Sequence, residues 1–212
     1  MAVAGVRTLI LACGALSHEI VALIRANGWD HFDVQCLPAD LHNRPGEIPE
    51  AVRAKLHDAR ARYDRVFVAY ADCGTGGRLD AVLAEEGVER LPGAHCYEFF
   101  AGSRAFHALA DEEPGTLYLT DFLARHFERL MMRGMGLDRH PELMSMMFGN
   151  YRRVLYLAQT ENPDLQQRAR AAAERLGLEY EYRFTGYGEL ESTLQEQHDR
   201  AAGEKVIEWR RS

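Results

Sequence analysis

Short apolar runs that stop at turn residues dominate the first half of this chain. RTLILAC (7–13), HFDVQCL (31–37) and DRVFVAY (64–70) are bounded by polar or turn-forming residues, and VERL (88–91) runs into Pro92-Gly93. Runs of this length, rich in Val, Ile, Leu and Phe, are the signature of buried strands. Between them the apolar period changes to that of a helix. Ile20, Leu23 and Ile24 share one face of a segment that Ser17 can cap, and PEAVRAKLHDARARY (49–63) is amphipathic with Pro49 near its first turn. Strands alternating with helices predict an α/β fold with a largely parallel sheet flanked by helices.

The second half alternates less regularly. GTLYLTD (115–121), YRRVLYLAQT (151–160), LEYEYRFTG (178–186) and KVIEWRR (205–211) read as strands, and helices are expected over 98–113, 121–136, 138–151, 163–176 and 187–201. The helical block from about 121 to 149 is taken as a divide. Residues 1–120 then form an N-terminal α/β lobe, and residues 121–212 form the helical block plus a second, smaller α/β lobe. RTLILACGALSHEI and RRVLYLAQTENPDL open the two lobes alike, which points to two similar Rossmann-like lobes.

Composition removes several function classes. The net charge is −7, and no basic stripe with interleaved aromatics appears, so no nucleic-acid partner is expected. No apolar stretch approaches the roughly 18–20 residues that cross a bilayer, so no membrane span is expected. The opening MAVAGVRTLILACGAL lacks a basic leader and a cleavage site and reads as the first core strand. A cytoplasmic protein is expected, and its four cysteines read as reduced thiols or ligands rather than disulfides.

Thiols and imidazoles sit where the strand-like runs end. If the runs are parallel, Cys13, His42, Cys73, His95 and Cys96 all lie at the carboxyl edge of one sheet, where open α/β folds bind ligands. Three sulfur donors with imidazole suit a metal: tetrahedral zinc, or an iron or iron–sulfur centre. Adjacent His95 and Cys96 point apart in an extended segment, which favours Cys96 as the ligand. Cys36, inside a strand, reads as core. Gly14 and the glycines of ADCGTGG, Gly74, Gly76 and Gly77, allow close approach of a ligand or cofactor, although the spacing is neither a P-loop nor a dinucleotide fingerprint. Glu19, Tyr70, Asp72 and Glu98 are the candidates for proton handling, and Glu19, Asp72 and Glu98 for catalysis. The methionines between Met131 and Met147 read first as helical core and second as an apolar pocket or partner surface. No nucleophile elbow is present, so no hydrolase triad is expected.

Leu-Ala-Cys-Gly-Ala-Leu (11–16) with Glu19, Leu-His-Asn-Arg-Pro (41–45), Tyr-Ala-Asp-Cys-Gly (70–74), His-Cys (95–96) before Ala-Gly-Ser (101–103), and Pro-Gly-Thr-Leu-Tyr-Leu-Thr (114–120) occur in a fixed order. Together they resemble the prokaryotic family of domain of unknown function sixteen thirty-eight, over about residues 8–190. The resemblance maps family cysteines onto Cys13, Cys73 and Cys96 and a loop histidine onto His42. It departs at His95, which is followed directly by Cys96 where many relatives are expected to carry a carboxylate between the two. The resemblance implies association with corrinoid-dependent methyl transfer and one-carbon metabolism. It leaves open whether the chain is an enzyme. Three readings follow: a metal-binding protein, an accessory protein binding a corrinoid protein, a methyltransferase subunit or the cofactor itself, and a thiol enzyme with Cys73 as nucleophile acting on a small-molecule ligand.

Overall fold

A computed structural model describes residues 6–203. The strands form two parallel three-stranded sheets, so the chain is an α/β protein with parallel sheets. The first has the order β2-β1-β3, with β1 Thr8–Cys13, β2 Phe32–Leu37 and β3 Arg65–Ala69. The second has the order β4-β5-β6, with β4 Thr116–Leu119, β5 Arg153–Ala158 and β6 Glu179–Phe184. The central strands β1 and β5 are buried at every residue, which is why both read as near-continuous apolar runs. KVIEWRR lies outside the described residues.

The chain divides into two compact units, one running to Cys96 and resuming at Leu190, the other Tyr97–Glu189. This differs from the expected divide near residue 120. β4 lies N-terminal to that divide yet pairs in parallel with β5, Thr116 opposite Arg153 and Leu119 opposite Tyr156. The block that follows is not a linker. Leu119, Phe127, Met132, Leu137 and Phe148 share one core with Val154, Tyr156, Leu165 and Ala169.

In the first unit, α1 (Ser17–Asn27) crosses from β1 to β2, and α2 (Ile48–Ala59) crosses back past β1 to β3. α3 (Arg78–Glu86) follows β3. Because parallel crossovers are right-handed, the two connections, which move across the sheet in opposite directions, put α1 and α2 on opposite faces. Ile20 and Leu23 of α1, Val52 and Leu56 of α2, and Leu79 and Leu83 of α3 are buried. The run at 88–91 contributes one parallel bridge, Val68 to Arg90, instead of a full strand, because Pro92 and Gly93 end it. α9 (Glu189–Gly203) returns to this unit from Leu190 and buries Leu190, Leu194, Gln197 and Ala201.

The second sheet is wound differently. Its strands are sequential, and α6 (Asp121–Phe127) and α8 (Pro163–Leu176) contribute to one core against β5. Hence the two openings that look alike in sequence do not head two copies of one topology. α4 (Cys96–Ala101) and α5 (Ser103–Glu112) replace the single helix expected over 98–113, broken at Gly102 with φ +79°. A π-helical turn at Glu128–Arg133 follows α6, and α7 (Leu143–Phe148) completes the block.

Candidate functional site

The strand order β2-β1-β3 fixes where a ligand can enter the first unit. Successive connections leave β1 and β3 in opposite directions, and in open α/β sheets the carboxyl ends beside such a switch are where ligands bind. Cys13 is the last residue of β1, and Cys73 lies four residues beyond the end of β3.

Cys13 is 3% exposed and its sulfur accepts the Ala15 amide at 3.3 Å. The turn at Ala39–Asn43 carries His42 to the same sulfur, with Cys13 Sγ 3.8 Å from Nδ1 and 4.0 Å from Nε2. His42 Nδ1 lies 2.9 Å from the Ala39 carbonyl. A carbonyl only accepts, so Nδ1 carries the hydrogen and Nε2 keeps its lone pair. Gly14 makes this approach feasible: a Cβ there would stand 3.0 Å from the Leu37 carbonyl oxygen and 3.4 Å from the Ala39 nitrogen. Its role is therefore close backbone packing. Tyr70 stacks on His42 with centroids 6.3 Å apart and planes 11° apart. Its fully buried hydroxyl is near enough to act on Cys13 but completes no well-formed hydrogen bond.

Cys73 has φ +51°, the left-handed region that a non-glycine side chain enters at a cost of about 1–2 kcal/mol. Two strand-like bonds hold it there: the Asp72 amide to the Gly93 carbonyl at 3.1 Å and the Cys73 amide to the Ala94 carbonyl at 2.9 Å. These bonds also fix the segment that delivers His95 and Cys96. Arg90 braces the same segment, donating to the carbonyls of Leu91 at 2.6 Å and Gly93 at 3.2 Å while paired with Asp80. Sequence reading missed Arg90, since its partners are backbone oxygens that leave no mark in a motif.

Electrostatics place the sulfur groups in one neighbourhood. Burial pushes the Cys13 thiol up to about 12, with the nearby Cys73 adding to it. Burial raises Cys73 to about 11. Cys96 is raised well above its usual range, first by burial and then by Cys73, Cys13 and Glu19. His42 is lowered by burial, and His95 adds to the effect. Cys13 and His42 are in contact, Cys73 and Cys96 lie within electrostatic range of Cys13, His95 within range of His42, and buried Glu19 within range of Cys96. His95 is exposed and Cys36 sits on the exposed part of β2. Among the described residues no three His, Cys, Asp or Glu side chains are already drawn in as a metal-holding set.

Asp72 has another occupation. Its carboxylate accepts the Thr75 hydroxyl at 2.6 Å and the amides of Gly76 and Gly77 at 3.1 and 2.9 Å. Burial alone would raise it, but these donors outweigh that effect and hold it down to about 2. The glycine turn is therefore closed on its own carboxylate. The Gly76 and Gly77 amides point at Asp72, so they do not form a ready cradle for a ligand anion, and Asp72 is a turn-former rather than a free proton acceptor.

A family model described as Protein of unknown function (DUF1638) matches residues 36–194, most of the chain. The chain belongs to the DUF1638 family. The match takes in His42, Cys73, His95 and Cys96 and begins after Cys13, Gly14 and Glu19. No curated protein and no solved structure matches it.

The remaining candidate of this DUF1638 protein, Glu98, belongs to the second unit. There it accepts the Ser103 hydroxyl at 2.7 Å and lies 3.6 Å from His107 Nε2. Of the methionines, Met132 is buried and Met131, Met144 and Met147 pack against the same core, while Met146 is 73% exposed. Core packing therefore accounts for most of the cluster. Among the described residues no helix is long and apolar enough to cross a membrane.

Proposed function

We propose that this protein binds a soft divalent metal, zinc or iron, through Cys13, Cys73, Cys96 and His42 at the carboxyl edge of the first sheet. The observation that carries this reading is the His42 ring. Its Nδ1–H is fixed on the Ala39 carbonyl, the outer partner that metal-bound histidines ordinarily have, which leaves Nε2 unprotonated in a ring that lies against the Cys13 sulfur, 3.8 Å from Nδ1 and 4.0 Å from Nε2. Zinc–sulfur and zinc–nitrogen bonds at a tetrahedral angle would separate S and N by about 3.6 Å. The present 4.0 Å is a few tenths longer. The buried Tyr70 hydroxyl without a well-formed partner and the left-handed Cys73 support the same reading, since such features gather at functional sites. We assign His95 as an alternative donor, and Glu19 as the acceptor of a proton released on binding because its buried carboxyl acts on Cys96. Bound metal would supply a deprotonated thiolate or a polarised ligand. Corrinoid-linked methyl transfer is the metabolic setting we propose, and it rests on the family resemblance alone.

Raised thiols disfavour Cys73 as a free nucleophile, because the thiolate is the reactive form. The packed methionine block likewise gives the accessory reading little surface. Elemental analysis of anaerobically purified protein tests the proposal. Cys13→Ser, Cys73→Ser and Cys96→Ser should each lower bound metal, and full retention by all three would overturn it. Cobalt titration supplies a second readout, with thiolate-to-metal charge-transfer bands expected in the wild type and weakened in each variant.

A further inference from the structure

Away from the thiol cluster, the first unit holds a second group of imidazoles. His31 precedes β2, and His198 lies on α9. Their ring centroids are 4.9 Å apart. Trp29 stacks on His198 at 5.5 Å and 22°, and Phe32 lies 4.2 Å from His31 and 6.5 Å from His198. Trp29 and Phe32 are buried, and His31 Nε2 and His198 Nδ1 are buried without hydrogen-bond partners. A neutral His31 suits this apolar box, whereas an imidazolium there would leave its inner N–H buried and unsatisfied against these rings.

We propose that His31, packed against His198, is a pH-sensitive latch that holds α9 on the first unit when His31 is neutral and releases it when His31 is protonated. Charged groups border the pair, among them Arg7, which directly precedes the strand alongside and is paired with Asp33 at 2.9 Å. Asp30 adjoins His31 and favours its protonation. On α9, Asp199 accepts from Gln195 at 2.8 Å, and Arg200 is paired with Glu89 at 2.5 Å. His31 is lowered below 6.5, first by burial and then by His198. The unfolded chain therefore takes up this proton at higher pH than the folded one. The associated stability is complete above about 6.5 and is lost as pH falls. Since α9 closes the unit with four buried residues, loss at the pair loosens that helix first.

Hydrogen exchange of the full chain at about pH 7.5 and about pH 5, corrected for intrinsic rates, reads this directly. Protection of 191–203 should fall at least tenfold more than that of Ile48–Ala59. His31→Phe, which keeps a ring in the stack, should abolish the difference, and His198→Phe should shrink it. The second variant keeps the test open if the first fails to fold. Equal protection at both pH values in the wild type, or an undiminished loss in whichever variants fold, would overturn the latch.

Discussion

The Tyr156 hydroxyl donates to Asp121 Oδ1 at 2.6 Å, and both residues are buried where β5 and β4 end. The same carboxylate accepts the Gln159 amide at 3.0 Å and both the amide and the hydroxyl of Thr160. Asp121 thus ties together the two turns that leave the second sheet. Asp121→Asn would set an amide donor against existing donors. It should cost about 3 kcal/mol, against about 1 kcal/mol for Tyr156→Phe, as read from chemical denaturation followed by circular dichroism.

Gly14→Ala should uncouple the His42 turn from β1. The added carbon meets backbone at 3.0 and 3.4 Å, and backbone cannot rotate away as a side chain can. A loss of about 1–3 kcal/mol in stability is expected. Cobalt affinity should fall at least tenfold while Cys13, Cys73 and Cys96 are all still present. Unchanged affinity would show that the approach of the turn to β1 does not matter for binding.

The thiols give a pH dependence of definite sign. Burial holds Cys13 at about 12 and Cys73 at about 11, against an ordinary 9.0. The unfolded chain surrenders these protons first, so their contribution to stability is intact below pH 9 and is lost between 9 and about 12. Metal binding has the opposite slope near neutrality: each thiol that ionises on binding should strengthen it about tenfold per pH unit. Disulfide-exchange labelling at neutral pH should modify exposed Cys36 well before the other three cysteines.

Glu86 should matter more than its place in a helix implies. It is 8% exposed and gathers Arg53 at 3.2 Å, His57 at 3.0 Å and Arg60, clipping α2 to α3. Glu86→Ala should cost about 2 kcal/mol, the range for hydrogen bonds to a charged group. A thermal melt checks this, and a change within about 0.5 kcal/mol would assign the clip to the surface class of ion pairs.

How much of this was legible depended on the range of the interaction. β1 and β5 announced themselves because a strand buried on both faces reads as a near-continuous apolar run. The placement of Cys13 at the end of β1 and of Cys73 just beyond β3 followed from strand ends alone, since parallel strands bring their carboxyl termini to one edge. The limits of the units did not follow. β4 is only four residues long, and nothing local says that its partner is β5 rather than β3. Asp72 was misread for a related reason: its carboxylate satisfies backbone amides, and amides are the same in every residue. Cys13 and His42 met as expected, but the carbonyl that fixes the imidazole hydrogen belongs to an alanine.

The first unit is interrupted in sequence by the second and closes only when α9 returns. On a ribosome adding about 5–20 residues each second, the whole Tyr97–Glu189 insertion must be made before that helix exists, a delay of roughly 5–20 s. The contiguous insertion can condense as it emerges. Cys13, Cys73 and Cys96 all precede that insertion, so they leave the ribosome while their unit still lacks its last helix.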